Sequence, residues 1–179
     1  ELVMRKSSIG LTKSLWNDDK RYIDNYWSII KDYWVHGDLA SRDPDGHWYL
    51  HGRSDDTIKV SGKRIGPTEL ESVIVKSGKV KEVAAVGIPD ENKGSKIILS
   101  IVPAENNDQK ESFFEDLVIK DLGKSFKPDR VIFVKDLPKT RNMKIMRRVI
   151  KSCLANQDPG DLTTLLNPES VDEIRSHAI

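Results

Sequence analysis

The spacing of hydrophobic positions predicts a helix and a hairpin in the first third of the chain. Across residues 18–30, large apolar and aromatic side chains recur at helical spacing behind two aspartates, which favour a helix N-terminus. Residues 33–35 and 48–50 have a strand-like composition instead, and they flank the turn sequence Asp43-Pro44-Asp45-Gly46. We therefore predict that residues 33–35 and 48–50 pair as a β-hairpin.

Helices and strands alternate in the rest of the chain. Residues 58–60 and Ile65 flank Ser61-Gly62, which predicts a second, smaller hairpin. Pro67 occupies the first position of a predicted helix with an acidic first turn, and Gly78 ends that helix. Continuous apolar runs of strand length are typical of strands buried on both faces, and two are present, at residues 83–88 and 97–102.

The remaining pattern predicts a helix across residues 113–122 capped by Asp108, a strand at 131–134, a helix at 146–154 and a short terminal helix opened by Asn167-Pro168-Glu169. From Pro67 onward the order is α, β, β, α, β, α. We expect an α+β fold in which helices cover a small mixed sheet, preceded by a β-rich end piece.

Charge and cysteine content narrow the function classes. The 29 basic and 28 acidic residues give a net charge of +1, so we expect neither a nucleic-acid partner nor a membrane partner. No apolar run approaches the roughly 18 residues of a membrane span. Cys153 is the single cysteine, which fits a reducing compartment, and we expect a cytoplasmic protein.

Several motifs follow one another in a fixed order: WVHGD at 34–38, GRSDD at 52–56, IKVSGKRI at 58–65, ELE at 69–71 and LPKTRNMKIMRR at 137–148. Together they closely resemble the hinge motif and the C-terminal lysine motif of the adenylate-forming enzymes. LWNDD at 15–19, DLTTL at 161–165 and NPE at 167–169 point further, to the acetyl-CoA synthetase branch. The resemblance covers nearly the whole chain.

The resemblance implies three parts: residues 1–52 as the end of a large N-terminal adenylation domain, residues 53–56 as a hinge, and residues 57–179 as a mobile C-terminal domain. Family members carry a phosphate loop and an acid-binding pocket upstream, and neither is recognisable in this sequence. We therefore expect a fragment that catalyses little alone. A magnesium ion accompanying ATP would be bound by the absent N-terminal part, and we expect no metal site here.

The implied chemistry is a two-step ligation that uses ATP and CoA. A short carboxylic acid, with acetate as first candidate, attacks the α-phosphate of ATP, and the thiol of CoA then displaces AMP. By the family pattern, Lys144 is the catalytic lysine of the first step, because a cation can stabilise the charge that accumulates on the phosphate. Asp38 and Arg53 would bind the ribose hydroxyls, and Arg64 would contact phosphates.

Asp55 matches the pivot of the hinge. Rotation about it would exchange the Lys144 face for the Ser61-Gly62-Lys63 turn, which lines the passage of the CoA pantetheine arm in the second step. The resemblance also suggests that an acetyltransferase and a deacetylase switch Lys144 off and on, because acetylation removes its charge.

The sequence departs from the family pattern at two places. The residue before the lysine is usually glycine and is Met143 here, so we hypothesise that Asn142 carries any positive-φ turn. The family's arginine contact to the CoA phosphate is also unmatched, since its neighbourhood contains Ile119 with Lys120 and Lys124.

Other interpretations of single residues stay open. By composition alone, the basic cluster between Lys139 and Lys151 is typical of a solvated face, which allows a non-catalytic module that binds acidic partners or complements another adenylating chain. His47 and His51 could share a strand face as metal ligands, although no third ligand is evident. Cys153 lies in an apolar helical stripe, which favours core packing.

Overall fold

Short antiparallel pairs and one helix make up the first of two units in the computed structural model, which describes residues 1–105 and 108–179. This unit spans residues 1–55. Its elements are β1 (Val3–Met4), α1 (Asp19–Tyr26), β2 (Trp34–Val35), β3 (Asp38–Arg42) and β4 (Trp48–Arg53). The Asp18 side chain caps α1 by accepting a hydrogen bond from the Arg21 N–H, so the two aspartates begin the helix as predicted.

The predicted pairing of residues 33–35 with 48–50 is wrong. β2 pairs with β1, and the partner of β4 is β3, which directly precedes the turn. β3 was not predicted, because its polar composition lacks the hydrophobic pattern that indicates a strand. The predicted turn at residues 43–46 is present. The Asp43 carboxylate accepts a hydrogen bond from the His47 N–H at 2.8 Å, and this bond closes the hairpin.

The second unit spans residues 56–179 and has the predicted order of elements. They are β5 (Ile58–Val60), β6 (Lys63–Ile65), α2 (Pro67–Val75), β7 (Val80–Asp90), β8 (Gly94–Pro103), α3 (Glu111–Leu122), β9 (Arg130–Phe133), α4 (Arg147–Leu154) and α5 (Glu169–Arg175). β8 pairs antiparallel with β7 and parallel with β9, which makes the sheet mixed. The predicted Asp108 cap is wrong, because α3 begins three residues later, behind Lys110.

Two hydrophobic cores lie on opposite faces of this sheet. Alternate residues of β7 point to different cores, so Ala84 packs against α4 and α5, whereas Ala85 packs with α2, α3 and the β5–β6 hairpin. The apolar runs at 83–88 and 97–102 are therefore strands buried on both faces, as predicted. Cys153 is fully buried in the α4 core, and burial raises the pKa of its thiol. None of the described helices is long and apolar enough to cross a membrane.

Candidate functional site

Asp38 and Arg53, the predicted ribose ligands, are directly opposite each other on β3 and β4. Arg53 Nη1 lies 3.6 Å from Asp38 Oδ1 and donates to the His36 carbonyl at 3.2 Å. The His36 imidazole lies 2.8 Å from the other carboxylate oxygen of Asp38. The structure thus brings an acceptor and a donor together at one end of the hairpin, where both side chains are partly exposed.

Two contacts of Arg53 were not predicted from the sequence. Asp55, the predicted pivot, accepts from Arg53 Nε at 3.0 Å and from Nη2 at 3.3 Å, so its carboxylate orients the guanidinium. Gly37 has φ +86°, and a Cβ there would lie 2.7 Å from Arg53 Nη2. Gly37 therefore gives the guanidinium the space to lie against the backbone.

Ser61 and Gly62 form the two-residue turn between β5 and β6. Both have positive φ, +49° and +79°, and two such residues in succession define the mirror-image turn that suits a tight hairpin. The Ser61 N–H donates to the Lys93 carbonyl at 2.8 Å, which holds the turn against the β7–β8 loop. Among the described residues, no atom lies within 4 Å of a Cβ placed on Gly62, so the space above this turn is open.

Lys63 and Arg64 follow this turn on β6 and are exposed. Lys63 Nζ donates to Ser125 Oγ at 2.9 Å, which fixes its direction. Ser61 also lines a groove with Lys93, Lys124 and Lys127. Of the residues that were considered for the CoA phosphate, Lys124 is the one that this groove includes.

Lys144 lies on a tight turn that is closed by two hydrogen bonds between Thr140 and Lys144. The Thr140 N–H donates to the Lys144 carbonyl at 2.9 Å, and the Lys144 N–H donates to Thr140 Oγ1 at 3.2 Å. Within the described part of the chain, the Lys144 ammonium has no hydrogen bond or ion pair, and it borders a groove that Thr163 and Thr164 also line. An exposed cation on a rigid turn suits a group that must reach a second surface.

The hypothesis that Asn142 carries the positive-φ position of this turn is wrong. Met143 has φ +61°, and Asn142 is not among the described residues with positive φ. The Met143 N–H donates to the Thr140 carbonyl at 2.8 Å, and this bond fixes the left-handed conformation at the position where the family usually has glycine.

The basic residues around Lys144 do not form one exposed face. Lys139 is buried and paired with Glu82 and Asp136, and Arg147 donates two hydrogen bonds to Glu71. Arg148 donates to the Pro159 and Asp161 carbonyls. Half of the cluster that suggested a solvated basic face therefore has partners inside the unit.

These contacts shift the pKa values of the paired residues. The hydrogen bonds from Arg147 to Glu71 raise the pKa of the guanidinium despite partial burial. Burial opposes the charged form of Lys139, but hydrogen bonds to Asp136 and Glu82 outweigh it, so the pKa of Lys139 is raised. The pKa of Asp136 is lowered although its partial burial acts in the opposite direction, mainly because Lys139 donates to it.

His47 and His51 have separate partners. His51 Nε2 lies 2.7 Å from Ser41 Oγ, whereas His47 Nδ1 lies 3.1 Å from an Asp43 oxygen. Asp43, Asp45 and His47 place candidate metal ligands within 4.8 Å of one another, but they sit at an exposed hairpin turn. The Asp43 carboxylate already accepts hydrogen bonds from the Tyr49 hydroxyl and from the His47 N–H, so its oxygens stabilise the turn.

This chain is similar to known proteins in sequence and in fold. The family model described as the AMP-binding enzyme C-terminal domain matches residues 69–144. The acetyl-coenzyme A synthetase of Methanothrix thermoacetophila is 42% identical over 92% of this chain and 26% of its own length. The propionate–CoA ligase of Escherichia coli is 37% identical over 93% of this chain and 28% of its own length.

A solved structure supports the fold. The acetoacetyl-CoA synthetase of Streptomyces lividans matches with a TM-score of 0.77 at 21% identity, over 89% of this chain and 24% of that one. This chain spans about a quarter of the length of the curated relatives it matches.

Proposed function

We propose that this chain is the C-terminal part of an AMP-forming acyl-CoA ligase of the adenylate-forming enzyme family. The reaction would join a short carboxylic acid to CoA at the expense of ATP, releasing AMP and pyrophosphate. Acetate is the proposed acid, because two acetyl-coenzyme A synthetases are 38% and 42% identical over more than 90% of this chain. The free, buried Cys153 suits a reducing compartment, and we propose the cytoplasm.

The proposed first step forms an acyl-adenylate, and Lys144 is its catalytic residue. A carboxylate oxygen attacks the α-phosphorus of ATP, the bond to the pyrophosphate oxygen breaks, and negative charge spreads over the phosphate oxygens. The Lys144 ammonium stabilises that charge, and one donor of this kind contributes about 3 kcal/mol to the transition state. Asp38 accepts from the ribose hydroxyls, Arg53 donates to them, and Arg64 contacts a phosphate.

The proposed second step uses the other functional surface. The CoA thiol attacks the acyl carbon of the adenylate, AMP leaves, and the Ser61-Gly62-Lys63 turn lines the pantetheine passage. The open space above Gly62 leaves room for that arm, and Lys124 in the adjoining groove is our candidate for a CoA phosphate. A magnesium ion bound with ATP would be held by the larger remaining part of such an enzyme.

One observation carries the proposal that these surfaces act in turn. The hairpin with Ser61 and Gly62 packs on one face of the β7–β8–β9 sheet, and α4, which follows Lys144, packs on the other. Two surfaces on opposite faces of a rigid sheet cannot both face one reaction centre. A rotation of residues 57–179 about the 53–56 hinge, with Asp55 as pivot, would present them alternately.

The test is to separate the two half-reactions in the full-length enzyme. Lys144→Met is expected to lower acetate-dependent exchange of pyrophosphate into ATP by a factor of several hundred, while acyl transfer from synthetic acetyl-adenylate to CoA stays within about twofold. Gly62→Leu, whose side chain would enter the open space, should do the reverse. If each variant impairs both half-reactions equally, the assignment of separate surfaces is wrong.

We also propose that Lys144 is the target of a lysine acetyltransferase and a deacetylase. Its ammonium is exposed and has no partner among the described residues, so an acetyl group can be added without disturbing the fold. Acetylation removes the positive charge. Stoichiometric acetylation of Lys144, verified by mass spectrometry, should abolish the exchange reaction; full retention of exchange would contradict this.

A further inference from the structure

Lys139, five residues before Lys144, is a buried lysine that the proposed chemistry does not use. It is 6% exposed, and its ammonium lies 3.0 and 2.9 Å from the two Glu82 oxygens and 2.7 Å from Asp136 Oδ1. Glu82 belongs to β7, so this contact fastens the chain before the Lys144 turn to the central sheet. A buried lysine that is paired with two carboxylates has a structural role at that position.

The peptide groups of Lys139 are held as firmly as its side chain. Its N–H donates to Asn167 Oδ1 at 3.0 Å, and its carbonyl accepts from the Leu166 N–H at 2.8 Å. The Asn167 amide donates in turn to Asp136 at 2.6 Å and to the Leu137 carbonyl at 2.8 Å. The segment before α5 therefore holds the backbone of Lys139, whereas Glu82 holds its side chain.

The Lys144 turn is built directly on Lys139. Lys139 pairs with Ile145 in an antiparallel bridge, and the Met146 N–H donates to the Pro138 carbonyl at 2.8 Å. Thr140 and Lys144 close the turn between these two points by the two hydrogen bonds described above. Between Lys139 and Ile145 no side chain is buried, so the base of the turn determines where Lys144 lies.

We propose that Lys139, together with Glu82 and Asn167, is a positioning residue for Lys144 in the adenylation half-reaction. A buried ion pair contributes little net stability, because desolvation of both charges cancels most of their attraction. Its directional hydrogen bonds fix geometry instead, and misplacement of a reacting group by about 1 Å costs about a hundredfold in rate. The proposal rests on the proposed function, since it assigns Lys139 a task only if Lys144 acts on ATP.

The experiment uses the full-length enzyme with Glu82→Gln and Lys139→Met. Glu82→Gln keeps the shape and removes the charge that holds Lys139. Both variants are expected to lower acetate-dependent pyrophosphate exchange about 10- to 100-fold, in kcat rather than in KM, while acyl transfer from synthetic acetyl-adenylate to CoA changes less than about twofold. If Lys139→Met leaves two unpaired acids and does not fold, Glu82→Gln decides.

Lys81→Met is the matched control. Lys81 is on β7 beside Glu82 and forms a surface ion pair with Glu105 at 3.1 Å, so both half-reactions should stay at the wild-type rate. Equal loss of the two half-reactions in Glu82→Gln, or no loss in either, overturns the positioning role. The Lys144→Met variant, measured in parallel, tests the proposed function itself. If this variant retains pyrophosphate exchange, the proposed function is wrong, whatever the Lys139 variants show.

Discussion

At the scale of single residues, Met143 has the most strained conformation in the proposed catalytic turn. A left-handed conformation costs a residue with a Cβ about 1–2 kcal/mol, and glycine avoids that cost but loses about 0.4–1 kcal/mol through the entropy of the unfolded chain. The Met143 side chain is 60% exposed, so little packing is lost when it is removed. We expect Met143→Gly to raise the free energy of unfolding by about 0.5–1 kcal/mol, measured by urea denaturation of this chain.

Asn142→Gly is the matched control at the neighbouring position. Asn142 is not among the described residues with positive φ, so glycine there brings only the entropic penalty and should lower the free energy of unfolding by about 0.5–1 kcal/mol. A destabilised Met143→Gly would mean that the methionine side chain stabilises the turn by contacts that outweigh its backbone strain.

The resemblance to a known family supplied the candidate site residues, and the sequence indicated much less about how these residues are held. The resemblance to the adenylate-forming enzymes implied that Asp38 and Arg53 both bind the ribose, and the structure places these two residues opposite each other. The inward position of Lys139 could not be predicted, because its partner Glu82 is 57 residues away and a paired lysine has the same local pattern as a solvated one. The positive φ of Met143 was missed because intrinsic preference favours asparagine there.

At the scale of elements, Glu71 joins α2, β7 and the start of α4. Its carboxylate accepts from the Ala85 N–H at 2.9 Å and from Arg147 at 2.9 and 2.7 Å, and Glu71 is 8% exposed. Removing one partner of a buried pair leaves the other charge unsatisfied. We expect Glu71→Ala to lower the free energy of unfolding by about 3 kcal/mol, measured by urea denaturation.

The surface pair of Lys81 with Glu105 provides the comparison. Both side chains are more than half exposed, so Lys81→Ala should change the free energy of unfolding by less than about 1 kcal/mol. Equal effects of Glu71→Ala and Lys81→Ala would show that burial does not distinguish the two pairs.

The turn between β7 and β8 should make stability depend on pH in the acid range. Asp90 accepts from the Lys93 and Asn92 N–H groups and pairs with Lys96; the Lys93 bond contributes most to lowering the pKa of Asp90. A carboxyl whose folded pKa is lowered adds stability above its unfolded pKa of about 3.9. That stability is lost as the pH falls through the folded value.

Urea midpoints between pH 6 and pH 2 will test this. Asp90→Asn should be less stable than the wild type at pH 6, and the two curves should converge once the pH falls below the lowered pKa of Asp90. A constant difference over the whole range would show that the Asp90 charge does not contribute.

Most elements were predictable because long apolar runs and helix starts are local signals. α2 begins at Pro67, and β7 and β8 contain the two predicted runs. The prediction mispaired the hairpin of the first unit because β3 lacks that signal. Its last two residues, Ser41 and Arg42, are both exposed, and its pairing depends on the turn rather than on hydrophobicity.

At the scale of the whole molecule, nearly all of the hydrophobic core belongs to one unit. Of the buried hydrophobic residues described, only Tyr22 and Val35 lie before Asp56. We expect a fragment of residues 56–179 to unfold cooperatively in urea by circular dichroism. A fragment of residues 1–55 should show no transition, because a chain of about 60 residues or fewer is marginal even with a good core.

Cooperative unfolding of residues 1–55 alone would contradict this prediction. The exposed aromatic residues of β4 provide a second measurement, since Trp48 is 61% and Tyr49 51% exposed. Tryptophan fluorescence of residues 1–55 should resemble that of the urea-denatured fragment.

The division of β7 between two cores has a consequence for how such a protein can change over generations. Because odd-numbered and even-numbered positions of 83–86 belong to different faces, substitutions that reshape one core need no compensation in the other. A lineage could therefore adopt a new acyl acceptor by altering the Ser61 side of the sheet while the Lys144 side keeps its ancestral form. The alternation of a single strand would allow the two proposed half-reactions to diverge separately.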